Sequence, residues 1–190
     1  WAVQEAGKSI PVVDDPWDGN RTGAIERGYF VYHATAQCWA CHPAYSSKPD
    51  ILAMSKRLDL EEGKPPRISM KFRPGMDHSA VVDTRYGKVL PPNFLGDSVP
   101  AAKGLQGLYT SIGAGIGGTE MPSWFDRLSP RDLWAVVHYV RELVRLRGTL
   151  GAATMQRGLS FPKRPSIPNE STGSQVPGRS IQGERKGRKK

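Results

Sequence analysis

Residues Cys38-Trp39-Ala40-Cys41-His42 constrain this chain more than any other stretch. They read C-x-x-C-H, the signal for covalent attachment of a c-type haem. The spacing has a chemical reason. Two thiols three positions apart on a helical turn lie on one side of the backbone. Each can add to one of the two vinyl groups along a porphyrin edge. The next residue, His42, then lies where its imidazole can reach the iron. Five residues thus fix a large flat group at three points.

Two other chemistries use the same residue types. A structural zinc site needs four ligands, usually from two ligand pairs. Here the remaining histidines, His33, His78 and His138, are scattered singly and no second cysteine pair exists. A redox dithiol would be expected in a thioredoxin-like βαβ setting. The residues before Cys38 do not read as a strand, and no alternating β/α pattern follows. Haem attachment is therefore the leading expectation.

The composition is consistent with a chain wrapped around a bulky cofactor. At 190 residues it suits one domain with a tail. Only 38% of residues are hydrophobic, and 21 Gly with 16 Pro imply much loop. A covalently held haem would supply the apolar body that the sequence lacks. Both cysteines are taken by the motif, so no disulfide framework is expected. No apolar run is long enough to span a membrane. The chain begins at Trp1 rather than Met and reads as a mature or trimmed form.

The net charge of +9 is uneven. From Phe161 to Lys190, eight Lys/Arg against two Glu leave +6; the rest has nineteen against sixteen. The basic character is mostly that of the tail, Glu184 to Lys190 above all. No nucleic-acid-binding motif accompanies it, so nucleic acid is not an expected partner.

The chain reads as three regions: an irregular lead-in (1–21), a domain (22–150) and a basic, Pro/Gly/Ser-rich tail (151–190), disordered or a docking arm. A first helix is predicted from Thr22 as N-cap, through Tyr29 and Tyr32, toward Gln37. Gly28 inside it costs stability relative to Ala, and makes sense where another helix crosses closely. Residues 43–90 carry no strong period, apart from a short helix over 51–60 and an alternating piece at 68–72. Such a long loop-rich stretch is usually functional, and the expected role is to wrap the haem edge.

Leu90-Pro91-Pro92-Asn93-Phe94 is extended, because proline restricts its predecessor. Such a segment leaves carbonyls free, and Pro91 or Pro92 is a candidate acceptor for the second ring N–H of an axial histidine. A surface Pro-Pro turn is the plain alternative. A helix is expected over 101–114, then the glycine-rich run to Thr119-Glu120-Met121-Pro122. The glycines let backbone pass close to a flat group. They do not form a phosphate cradle, since the G-x-G-x-x-G frame fails and no strand precedes it. Met121 is the candidate sixth ligand, as a soft thioether suited to haem iron. A lone Met is otherwise core filler, and Met54, Met70, Met76 and His78 are its rivals. Ser129-Pro130-Arg131-Asp132 opens a last helix with a cap and N1 proline, followed by an apolar stripe from Leu133 to Val144 and a stop at Gly148.

Together these residues resemble the class I cytochrome c family. The resemblance rests on Gly28 with Tyr32, the Cys38–His42 motif, Pro92, Gly118-Thr119-Glu120-Met121-Pro122 and Leu133 to Leu143, in the family's order and over about residues 24–147. The stretch from Val89 to Leu143 looks especially like bacterial monohaem cytochrome domains found beside larger oxidoreductases. The resemblance implies a small all-α fold whose N- and C-terminal helices cross over one covalently bound haem, here with a long loop-rich insert. It implies thioethers at Cys38 and Cys41, His42 and Met121 as axial ligands, and the Pro92 carbonyl on the axial histidine. It implies one-electron transfer rather than catalysis, with a redox donor and acceptor and, by analogy, other subunits of a membrane-associated complex; a free soluble electron shuttle, or an open-site haem protein for peroxide or ligand chemistry, is the alternative. It implies a periplasmic or equivalent compartment, where thioether formation is completed. Two departures stand out. Pro43 follows the motif where the family often has Gly, and the stretch from His42 to Pro92 is longer than in compact members. Propionate contacts fall to Arg67, Arg73, Arg85 and Trp124 as candidates.

Overall fold

The computed structural model describes residues 10–100 and 104–153. The start of the lead-in, the first turn of the helix expected from 101, and the tail beyond 153 lie outside the described residues. Helix α1 spans Arg21–Phe30. Its N-cap is Asn20, whose side chain accepts from Gly23 N at 3.1 Å. The predicted cap was Thr22. Asn caps at least as well as Thr, and Gly19, at φ +76°, turns the chain directly into Asn20.

Past Phe30 the helix widens into a single π turn, Val31–Thr35, closed by Ala36 N donating to Val31 O at 2.8 Å. Gln37 then sits in the left-handed region at φ 49°. That conformation is unfavourable for a residue with a Cβ, and it ends the helix just before the cysteine motif. Cys38–Ala40 follows as a 3-10 turn.

Helix α2, Lys48–Glu61, is capped by Ser47 and packs against the π turn. It starts earlier than the expected 51–60 because Ser47 and Pro49 supply a cap and an early-turn proline. The loop after it is tied back by Arg67, which grips the Asp59 carboxylate through its guanidinium and backbone N–H. Residues 68–72, expected to be extended, pair with no strand. The hairpin of the insert lies further on, where β1 (Val82–Thr84) pairs antiparallel with β2 (Gly87–Val89).

Helices α3 (Leu105–Ala114) and α4 (Pro130–Leu146) complete the core. Ser129 caps α4 by accepting from Asp132 N at 3.1 Å. Leu133, Val136, Val137, Val140 and Leu143 are all buried, as the apolar stripe requires. The main helix pair is α1 against α4, and ion pairs Arg27–Asp132 and Arg21–Glu142 flank it. Helix α3 packs on α4 through Tyr109 and Trp134, ring centroids 4.6 Å apart.

The lead-in from residue 10 is irregular, as its Pro and Gly content implies, yet it packs as a strap along α4. Ile10 and Trp17 are buried. Trp17 Nε1 donates to Arg131 O, Trp134 Nε1 donates to Val13 O, and Asp15 pairs with His138 at 2.7 Å.

Candidate functional site

The end of α1 delivers the chain into the motif, and the 3-10 turn folds it so that His42 N donates to Cys38 O at 2.9 Å. Cys38, Cys41 and His42 line a single apolar cavity of about 390 Å³, a size suited to a small-molecule or cofactor site. Pro92 and Met121 line the same cavity. Its other walls come from Tyr32 of the π turn and Ala36 just after it, Val136 and Val140 of α4, and Ile112 of α3. The hairpin residues Val82 and Val89 close one side. Five residues spread over more than eighty positions are thus gathered at one place.

His42 is oriented by the Pro92 segment. Its Nδ1 lies 3.1 Å from Pro92 O. A carbonyl only accepts, so Nδ1 carries the hydrogen and Nε2 keeps a lone pair. That is the tautomer a metal-binding histidine needs. The ring stacks on Phe94 at 4.9 Å and 19°. Burial depresses the His42 pKa, the bond to Pro92 O opposes this, and the nearby Arg73 charge adds to the depression. A neutral imidazole is favoured, which is the ligating form. Tyr45 steadies this wall: its hydroxyl accepts from Phe94 N at 2.8 Å and donates to Asn93 Oδ1.

Met121 is carried by a loop anchored to the end of α3. Gly113 O accepts from Ser123 Oγ, Trp124 N and Phe125 N at 2.7–3.1 Å. Gly115, at φ +73°, reverses the chain, and Ile116 N reaches Met121 O at 3.3 Å. Thr119 Oγ1 accepts from Met121 N at 3.1 Å. The rival ligands do not line the cavity. Met76 is buried in the core, and the His78 ring lies over Gly75.

The residue chemistry bears on the competing readings. Among the described residues no three His, Cys, Asp or Glu side chains group as a metal site. None of the described residues therefore completes a zinc shell around Cys38, Cys41 and His42. Burial pushes the Cys38 thiol up to about 12 and also raises Cys41. That is the opposite direction from the depressed thiol pKa of a C-x-x-C redox dithiol. A haem fits the set: two thiols on one turn, an imidazole nitrogen with a free lone pair, a thioether, and a cavity with apolar walls.

Of the four propionate candidates only Trp124 lines the cavity. Arg67 is committed to Asp59, and Arg85 is exposed and lines no part of it. Arg73 lies behind the motif, where its guanidinium donates to backbone carbonyls. Sequence reasoning missed this role, because a long-range bond to a carbonyl leaves no residue pattern. The hairpin wall was missed as well. Its signal is slight: Tyr86-Gly87 between two short valine-containing segments.

No family model matches the chain. No curated protein matches it. Among solved structures it is similar to a chain of the Kuenenia stuttgartiensis reducing HAO-like protein complex Kustc0457/Kustc0458, at 20% identity and a TM-score of 0.43. The likeness covers 73% of this chain and 48% of that one, so it spans about half the length of its structural neighbour.

Proposed function

We propose that the protein is a one-electron carrier of the class I cytochrome c type, holding a single covalently attached haem c. Cys38 and Cys41 would attach the group covalently, and His42 and Met121 would hold its iron. The observation that carries this reading is the convergence of Cys38, Cys41, His42, Pro92 and Met121 on one apolar cavity. When bound, the haem supplies a reversible ferric/ferrous couple. The chain's own residues do the rest. Pro92 O holds the His42 ring in one tautomer and one orientation. The loop anchored on Gly113 presents the Met121 thioether, a ligand that favours the reduced state. The apolar walls exclude water and so lower the dielectric around the couple.

With His42 and Met121 both holding the iron, the group would keep no open position for a substrate. Its partners are an electron donor and an acceptor, and it serves as the cytochrome subunit of a larger redox complex outside the cytoplasm. Tyr86 is 78% exposed and Ile116 49% exposed. Tyr86 packs beside Gly118, in the loop that carries Met121, and Ile116 lines the cavity. These apolar side chains at the cavity edge support a docking role. Among the described residues no helix is long and apolar enough to cross a membrane.

The test is the visible spectrum of the full chain made with a competent haem-attachment system, oxidised and reduced. Expected are thioether-type haem bands that survive denaturation, with a weak far-red sulfur-to-iron band in the oxidised state. Absence of the far-red band would overturn Met121 ligation. Absence of haem in such material would overturn the whole reading.

A further inference from the structure

Arg73 lies in the insert, outside the cavity, with its guanidinium turned to the backbone of the cysteine motif. Nε donates to Trp39 O at 2.9 Å. Nη2 donates to His42 O at 2.9 Å and to His78 O, with Met76 O at the margin at 3.5 Å. Nη1 donates to Gly75 O at 2.7 Å, with Pro74 O at 3.4 Å. Two main-chain bonds run alongside: Ala44 N to Met76 O at 2.6 Å, and Ala80 N to Cys41 O at 2.8 Å. The loop 73–80 is therefore laced to the back of the motif, with Arg73 at its centre.

The cation has no carboxylate in contact. Among the described residues Arg73 forms no ion pair, and Asp77 acts on it only through longer-range attraction. Its neighbours are carbonyl oxygens, which satisfy its N–H groups without cancelling its charge. A guanidinium does not deprotonate in proteins. A half-buried unit charge is thus held against the carbonyls of two motif residues, Trp39 and His42.

We propose that Arg73 is a positioning residue that raises the reduction potential of the group held by His42, by fixing an uncompensated positive charge behind the cysteine motif. The inference rests on the haem reading above. Reduction adds one electron from a redox partner, and a nearby fixed cation favours the state that has gained it. Solvent screens a half-buried charge less than a surface one. The same fork also holds the motif loop in shape, so charge and geometry must be separated by experiment.

The measurement is a spectroelectrochemical titration of the full, haem-loaded chain as wild type, Arg73→Gln, Arg73→Lys and Asp77→Asn. Arg73→Gln is expected to shift the ferric/ferrous ratio toward the ferric form by about tenfold, a fall of ~59 mV for a one-electron couple. Arg73→Lys keeps the charge and loses the planar fork. It should retain most of the wild-type potential while melting earlier. Asp77→Asn removes an opposing charge and breaks no contact to the motif, so it should raise the potential. The proposal is overturned if Arg73→Gln matches the wild-type potential, or if Arg73→Lys falls as far as Arg73→Gln. Should Arg73→Gln fail to fold, an unchanged or lowered potential in Asp77→Asn overturns it alone. A wild-type chain that carries no haem would sink the underlying reading instead.

Discussion

Gly28 and Ala135 touch backbone to backbone where α1 crosses α4. A Cβ built on Gly28 would stand 2.0 Å from Ala135 O and 2.7 Å from Tyr139 Cβ. Neither neighbour is the free end of a flexible side chain, so one helix must move to admit a methyl group. Helix α4 walls the cavity through Val136 and Val140, and the π turn that continues α1 does so through Tyr32, with Ala36 just after it. This crossing therefore sets the cavity's width as well as the stability of the core.

Gly28→Ala is expected to destabilise the fold despite improving helix propensity. Overpacking costs about 1–3 kcal/mol, and the propensity gain is at most about 1 kcal/mol. The clash is against backbone, so the upper part of that range applies. Urea unfolding followed by circular dichroism should show a lower midpoint with an unchanged slope. A midpoint equal to wild type would mean the helices do not cross at this distance.

The Asp59–Arg67 contact has its own pH signature. The Arg67 guanidinium and backbone N–H hold the Asp59 carboxyl down to about 2, below its ordinary 3.8. The ionised form is favoured in the folded state. Its contribution is complete above about pH 4 and is lost as pH falls through about 2. Asp59→Asn should thus melt below wild type at pH 5, and the gap should close toward pH 2. A gap that stays constant across that window would show that the charge contributes nothing.

Much of this arrangement was legible in the residues, for physical reasons. C-x-x-C-H is specific because few chemistries need two thiols and an imidazole at that spacing. Ser129-Pro130 and the α4 stripe were legible because caps and period act locally. Gly28 signalled a close approach because a helix-interior glycine is otherwise costly. The rest depends on distant partners. The π turn at Val31–Thr35 inserts one residue's worth of slack, and no local preference encodes it. The hairpin strands are three residues each, too short for alternation to register. Ile10 and Trp17 sit in a segment with every mark of a loose lead-in, yet are buried by α3 and α4, whose surfaces a local reading does not see. Arg73 was one of four propionate candidates on chemistry alone; only the fold shows that carbonyls of the motif take its donors.

His33 gives a second pH dependence, in a separate window. It is fully buried among the rings of Tyr29, Tyr32 and Tyr139. Its Nδ1 donates to Tyr29 O at 2.7 Å, and its Nε2 has no partner. Burial lowers its pKa to about 4 from 6.5. The unfolded chain binds a proton at this residue between pH 6.5 and 4, and the folded chain does not. Stability therefore falls as pH falls through that window, by at most about 3 kcal/mol. His33→Phe should flatten the stability profile between pH 6.5 and 4 relative to wild type at the same haem loading. An unchanged slope would mean that His33 titrates normally in the fold.

The Met121 loop can be displaced without touching the thioether sulfur. A Cβ on Gly115 would lie 2.6 Å from Met121 O and 2.7 Å from the Pro122 carbonyl carbon, and Gly115 holds φ +73°. Gly115→Ala must strain the turn or push the loop outward. Gly117 has nothing within 4 Å of its would-be Cβ and serves as the control. In haem-loaded protein, Gly115→Ala should weaken or abolish the far-red sulfur-to-iron band and let carbon monoxide bind the reduced form, as Met121→Ala should do outright. Helix content should stay near wild type, because α3 and α4 remain packed through Tyr109 and Trp134. Gly117→Ala should keep the band. If Gly115→Ala kept a full far-red band while Met121→Ala lost it, the thioether would hold its place against the clash. The loop anchored on Gly113 would then be following the ligand rather than positioning it.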